Sequence, residues 1–320
     1  MRGLWLEGGR LQVREDLEEP VAAPGEAVVG VRLAGICGTD LELVEGYYPF
    51  SGVPGHEFVG EVVAAPGNVE WMGRRVAGEI NVVCGRCPTC ARGDSSHCER
   101  RSVVGIKDRP GAFAERLALP LVNLHPVPEG LPDEVAVFVE PLAAALEIPQ
   151  QVPIGPSDRV TVIGDGRLAQ LVAQTLALTG CALRVIGRHP AKLALLAARG
   201  IATGTAAEAP EGEADVAVEC TGNAEGLEAA RRAVRPRGTI VLKSTYRGRA
   251  SLDVSRLVVD EITLVGSRCG PFAPALALVA EGRVDVAPLV HARFPLDQGV
   301  AAFAEAARPG VLKVLVEVEG

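Results

Sequence analysis

Two textures of apolar and polar positions divide the chain. Over the first about 145 residues, short apolar runs such as Ala27–Leu33 and Phe58–Val63 have strand character. Gly and Pro interrupt them often, which predicts an antiparallel barrel or sandwich with long loops. Past Pro153-Ile154-Gly155-Pro156 the pattern changes. Arg159–Ile163 is a compact apolar run of the kind a strand buried on both faces gives. Leu168, Leu171, Val172 and Leu176 follow at helical spacing, and Gly180 stops that helix. Leu183–Ile186 is the next strand, Pro190 opens another helix, and Gly200 closes it. Val216–Val218, Thr239–Leu242 and Ile262–Val265 are further strands. Strands alternating with helices predict a parallel sheet covered on both faces. Gln298–Ala307 reads as a helix before a last strand, Leu312–Val318. The breaks fall near 148 and 270: residues 1–148 form one domain, 149–270 a second, and 271–320 rejoin the first.

Composition narrows the class. The 320 residues amount to about two domains. At 48% apolar and 22% charged, general disorder is excluded. No run of 18 apolar residues occurs, so no membrane span is expected. Met1-Arg2-Gly3-Leu4-Trp5-Leu6-Glu7 has no apolar h-region, so a cytoplasmic location is the expectation. A net charge of −8 argues against a nucleic-acid partner. Lysine is scarce: Lys107, Lys192, Lys243 and Lys313 are the only four.

Four of the eight cysteines lie within fifteen residues, as Cys84-x2-Cys87-x2-Cys90-x7-Cys98. Four thiolates in a turn-rich loop satisfy tetrahedral zinc and leave no open position, which makes a structural site. Reduced thiols or two disulfides are the alternatives, and His97 is a substitute for one thiolate. Cys37, His56 and either Glu57 or Glu140 form a dispersed set. Taken singly, the Cys reads as a small buried hydrophobe and the His and Glu as satisfied polar groups; taken together, a thiolate, an imidazole and a carboxylate are the set of a three-ligand zinc site with one position open for chemistry. Cys181, Cys220 and Cys269 read as buried small residues, and His125, His189 and His291 have no nameable partners.

Gly164-Asp165-Gly166-Arg167-Leu168-Ala169 is a G-x-G-x-x-A that follows a strand and opens a helix. That context points to a dinucleotide, its pyrophosphate on the helix N-terminus. The acid that holds the ribose hydroxyls of NAD is expected about 20 residues on. Gly187 stands there instead, followed by Arg188, with Lys192 nearby. No carboxylate to repel and a guanidinium to grip a 2′-phosphate favour NADP(H) over NAD(H).

Together these residues resemble the zinc-containing medium-chain alcohol dehydrogenases, in the polyol and threonine dehydrogenase branch. The resemblance rests on Gly35–Asp40, Gly55–Gly60, the four-cysteine lobe at 84–98, Glu140-Pro141-Leu142, the glycine turn and Lys313-Val314-Leu315. It implies a chaperonin-10-like β-barrel catalytic domain interrupted by a Rossmann domain, with an active site between them and a homodimer or homotetramer. It implies one catalytic and one structural zinc, with Cys37, His56 and Glu57 or Glu140 as catalytic ligands. Asp40 is then the acid that orients the ligand His, and Thr39 the hydroxyl that takes the substrate proton. Thr221 and Arg268 join the cofactor residues. The expected reaction moves a hydride between a secondary alcohol or polyol and the nicotinamide. A zinc-free quinone or enone reductase and a non-catalytic nucleotide-binding protein are the rivals. Glu42 replaces a family His as last proton relay, and only 18 residues separate Cys37 from His56. Tyr47, Tyr48 and Phe50 are candidates for the pocket wall or for barrel packing.

Overall fold

The structure is a computed structural model and describes residues 1–46, 48–246 and 250–318. Two compact units emerge: Met1–Glu140 with Phe272–Gly320, and Pro141–Pro271. The helix Val139–Gln151 carries the chain from the first to the second, running through Pro149. Tyr47 lies outside the described residues.

In the second unit six strands form one parallel sheet. In chain order they are Arg159–Ile163, Ala182–Ile186, Ala202–Gly204, Ala214–Glu219, Val234–Leu242 and Thr263–Gly266. Their spatial order is 3-2-1-4-5-6, the doubly wound arrangement whose order reverses between strands one and four. Val160, Val162 and Ile163 of the first strand are buried, as a strand covered on both faces requires. Helix Arg167–Ala177 buries Leu171, Val172 and Leu176, three members of the periodic stripe. Gly180 and Gly200 take positive φ just past their helices, where a side chain is disfavoured.

In the first unit a seven-stranded sheet is built around the ten-residue strand Glu26–Gly35. That strand pairs antiparallel with Glu57–Ala64, Arg116–Pro120 and Lys313–Glu317. The core beneath includes Phe113 and Phe303, whose rings meet edge to face at 5.3 Å. Residues after 271 therefore add their last strand directly to the first unit's sheet. An unexpected strand, Val290–Pro295, runs parallel to Lys313–Glu317, with helix Gly299–Ala306 as the crossover. Helix Gly38–Val44 is a second departure: it starts immediately after Cys37.

Candidate functional site

Strand pairing builds the first site. Gly35 faces Glu57 across the ladder, so the chain leaving one strand at Cys37 meets the chain entering the other at His56. Ligand atoms of Cys37, His56 and Glu57 all lie within 4.8 Å of one another. His56 and Glu57 are buried and Cys37 is half-buried. Asp40 stands behind them, fully buried. Its Oδ2 accepts a 2.8 Å hydrogen bond from the Cys37 backbone N–H, and its Oδ1 is 3.4 Å from His56 Nδ1. Neither Oδ1 nor Nδ1 has a hydrogen-bond partner among the described residues, so the approach is an electrostatic contact that turns the ring toward Asp40. Burial opposes a charge on His56, but Asp40 and Cys37 outweigh it and hold the imidazole pKa well above its ordinary value. The proton they hold there is what a metal cation would replace.

Lys313 completes the arrangement. Its ammonium, 2% exposed, pairs with Glu57 Oε2 and sits 5.5 Å from the Phe138 ring centroid. Gly35 leaves room for the pair, since a Cβ there would lie 2.5 Å from Glu57 Oε2. Glu57 Oε1 is buried with no hydrogen-bond partner. Three anionic groups (Cys37 as thiolate, Asp40, Glu57) against one ammonium leave two negative charges, the complement of a divalent cation. The donor set fits zinc with a fourth position open. Glu140 is not among the converging groups. It is half-buried in the first turn of the helix Val139–Gln151. Thr39 is half-buried, and among the described residues no hydrogen bond involves its hydroxyl. Tyr48 is exposed and Phe50 half-buried; the Phe50 ring packs beside Gly52.

The four-cysteine loop converges as well. Sulfur separations are 3.4 Å for Cys87–Cys90, 3.8 Å for Cys87–Cys98 and 3.5 Å for Cys84–Cys98. Zinc–sulfur bonds in a tetrahedron set sulfurs about 3.8 Å apart. Disulfide bonds are near 2 Å, and all eight cysteines are free. The disulfide alternative therefore falls. Backbone N–H groups of Cys90 and Glu99 lower the Cys87 thiol to about 6. Burial and the neighbouring Cys87 raise Cys90 to about 12. Thiols this crowded share protons until a cation takes their place. His97 is outside the cluster.

In the second unit Gly164 has φ +123°, and a Cβ there would meet Cys220 O at 3.1 Å. Gly166 caps helix Arg167–Ala177, and a Cβ there would meet nothing within 4 Å. That open space at a helix N-terminus fits a pyrophosphate. Arg167 and Leu168 are half-buried in the first turn.

The place of the ribose acid needs a correction. A carboxylate does stand at the end of the second strand, and it comes from Asp165. Its Oδ2 accepts from the backbone N–H groups of Arg188 (2.6 Å) and His189 (2.7 Å). Its Oδ1 is 2.9 Å from His189 Nδ1. A Cβ on Gly187 would sit 2.5 Å from that Oδ2, so no acid fits at 187. The absence of repulsion is therefore not an argument for a 2′-phosphate; the remaining argument is the cations. The Arg188 side chain is exposed, 4.0 Å from Glu225. Lys192 is buried, which lowers its pKa, while Asp165 raises it. Thr221 spends its hydroxyl and N–H on Glu219 Oε1, which leaves it to shape the loop. Arg268 is exposed, and its carbonyl accepts from Lys243 Nζ.

His125, His189 and His291 each face a carboxylate: Glu79 at 2.8 Å, Asp165 at 2.9 Å and Glu305 at 3.1 Å. Cys181, Cys220 and Cys269 are half-buried rather than buried. No helix among the described residues is long and apolar enough to cross a membrane.

Comparison with known proteins gives the family of the chain. The alcohol dehydrogenase GroES-like domain model matches residues 23–129, and the zinc-binding dehydrogenase model matches residues 168–281. The chain is 30% identical to the L-threonine 3-dehydrogenase of Streptomyces avermitilis, over 98% of this chain and 96% of that one. It is 29% identical to the L-galactonate-5-dehydrogenase of Escherichia coli K12, over 87% of each. A solved zinc-binding dehydrogenase from Sinorhizobium meliloti 1021, bound to NADP, superposes with a TM-score of 0.91. Its identity is 30%, with 99% of both chains covered.

Proposed function

The chain belongs to the zinc-containing medium-chain alcohol dehydrogenase family, in its polyol and threonine dehydrogenase branch, and from that premise we propose that Cys37, His56 and Glu57 bind its catalytic zinc. The protein is a zinc-dependent dehydrogenase that moves a hydride between an alcohol or polyol and a nicotinamide cofactor. The observation that carries the ligand assignment is the convergence of a thiol, an imidazole and a carboxylate at one buried point, backed by Asp40. We favour Glu57 over Glu140 as third ligand, on its unpartnered buried Oε1.

Bound there, zinc supplies the Lewis acid that acidifies a secondary hydroxyl, and the nicotinamide supplies the hydride acceptor. Cys37, His56 and Glu57 would hold it as three ligands, a set that would leave room for a substrate oxygen. Asp40 holds the Cys37 backbone by a hydrogen bond and lies 3.4 Å from His56 Nδ1, which supports it as the acid that orients the ligand His. Lys313 occupies one oxygen of Glu57 and leaves the other to ligate. Thr39, beside Asp40, takes the substrate proton. Glu42, three residues on along the same helix face, is the next acceptor, with water as the alternative end of the relay.

The loop of Cys84, Cys87, Cys90 and Cys98 holds a second, structural zinc in this reading. Eight free cysteines fit a reducing, cytoplasmic setting. Gly164, Asp165, Gly166, Arg167 and Leu168 form the pyrophosphate turn. Arg188 and Lys192 supply the charge that favours NADP(H). A homo-oligomer follows from the apolar edge of the parallel sheet. Val254, Val258, Val259 and Leu264 are exposed on helix Val254–Val259 and edge strand Thr263–Gly266. Light scattering should report a dimer or tetramer; a monomeric mass at micromolar protein would refute this.

The test is nicotinamide absorbance with a panel of secondary alcohols, polyols and β-hydroxy amino acids, each offered NADP and NAD. Turnover with one subset, faster with NADP, supports the reading. Silence across the panel, from protein holding two zinc ions per chain, overturns it. Arg188→Ala should raise the KM for NADPH about tenfold, the value of one charge-assisted hydrogen bond. The KM for NADH should barely move, and equal changes would remove the phosphate role.

A further inference from the structure

Asp165 and His189 form a pair that the pyrophosphate turn does not require. Asp165 is the variable residue between the two glycines. A turn that only cradles phosphate uses backbone N–H groups and leaves this side chain free. Here the carboxylate, 6% exposed, reaches across to the end of the second strand. It takes the two backbone N–H groups of Arg188 and His189 and then the imidazole Nδ1.

That third bond settles the tautomer of His189. Burial works to raise the Asp165 pKa, but the His189 backbone N–H, the His189 ring and the Arg188 N–H outweigh it and keep the carboxyl below its ordinary value. Asp165 is therefore an anion and an acceptor near neutral pH. Nδ1 must carry the hydrogen. The second ring nitrogen, Nε2, makes no hydrogen bond among the described residues, and the side chain is 41% exposed. With Nδ1–H committed to Asp165, Nε2 has two states. In the neutral ring it is an acceptor, and in the imidazolium it is a charged donor.

The place matters. His189 caps helix Pro190–Ala197, directly after the strand whose end reads the adenosine ribose in doubly wound folds. The charged groups around it are Asp165 from the glycine turn, Arg188 beside it, and Lys192 one helical turn on. Arg167 at the start of the preceding helix acts on Lys192, and Glu225 faces Arg188.

We propose that His189, its tautomer held by Asp165, reads the 2′ position of the cofactor ribose: as imidazolium it binds a 2′-phosphate, and as neutral imidazole it accepts from a 2′-hydroxyl. This rests on the reading that places the adenosine ribose at Arg188. Preference for the phosphorylated cofactor then falls with rising pH as the ring gives up its charge. The sign distinguishes this from the ligand's own ionisation. A phosphate monoester gains negative charge as pH rises, which by itself would strengthen binding to Arg188 and Lys192.

Calorimetry on the zinc-loaded enzyme tests it, with adenosine 2′,5′-bisphosphate and adenosine 5′-monophosphate as probes. The ratio of their dissociation constants cancels the 5′-phosphate. Wild type should prefer the bisphosphate, and that preference should fall about tenfold from the acidic to the alkaline end of a pH series. His189→Gln, which is neutral throughout, should lose the fall while Arg188 keeps a residual preference. A wild-type preference that is flat or rises with pH overturns the role of His189 and leaves the Arg188 reading standing. A fall that survives His189→Gln also overturns it. No preference at any pH overturns the Arg188 reading, and this inference with it.

Discussion

Cys37→Ser is expected to lose on the order of a thousandfold in kcat/KM, about 4 kcal/mol of transition-state stabilisation, together with half of the bound zinc. A serine hydroxyl stays protonated where a thiolate ligates, so the remaining imidazole and carboxylate make a two-ligand site. The loss should be confined to that site. Cys37 is half-buried at the start of a short helix, and the four-cysteine loop is a separate cluster. Zinc analysis should read one ion per chain against two in the parent, with little change in melting temperature. Full turnover with two ions retained would refute the assignment of Cys37. Loss of both ions together would mean that the two clusters are not independent.

Lys313→Met carries the second large effect, on stability. Lys313 and Glu57 are both essentially excluded from water, and each is the other's counter-charge. Removing one member of a buried pair leaves an uncompensated charge, at about 3–5 kcal/mol. A fall in melting temperature of roughly 10 °C follows for a chain of this size. Excess zinc should restore part of it, because a bound cation supplies Glu57 with a replacement. Lys313→Met combined with Glu57→Gln should recover much of the stability and none of the activity. If the single variant melts with the parent, the pair contributes nothing to stability. If the double variant melts no higher than the single, the loss comes from packing around the lysine stem.

Much of the fold is legible because parallel strands buried on both faces write short apolar runs. Arg159–Ile163 and the helix with Leu171, Val172 and Leu176 are of this kind. The four-cysteine cluster is legible because all four residues fall in one stretch. The rest was hidden for definite reasons. Helix Gly38–Val44 opens with glycine and threonine, poor helix formers, and is held by Asp40 capping Cys37. Helix Val139–Gln151 contains Pro149, which reads as a break. The sequence leaves Glu57 and Glu140 level because both sit in plausible ligand motifs; the Gly35–Glu57 register, which carries Glu57 to Cys37 and His56, is a long-range pairing that no local motif writes. Asp165 sits inside a motif whose logic is glycine backbone, so nothing in the motif says where its side chain goes. The scarce lysines mark interior sites: three of the four, Lys192, Lys243 and Lys313, are buried. A surface built on arginine keeps lysine where a compact ammonium must fit indoors.

The pairing of Lys313 with Glu57 spans 256 positions of the chain. A nascent polypeptide therefore exposes Cys37, His56 and Glu57 long before the cation that balances them exists. At about 5–20 residues per second, the interval is roughly 10–50 s. Throughout it strand Glu26–Gly35 also lacks its neighbour Lys313–Glu317. On the reading that Cys37, His56 and Glu57 bind zinc, completion of that centre waits for strand Lys313–Glu317, whereas Cys84, Cys87, Cys90 and Cys98 are all within reach of one another as soon as residue 98 emerges.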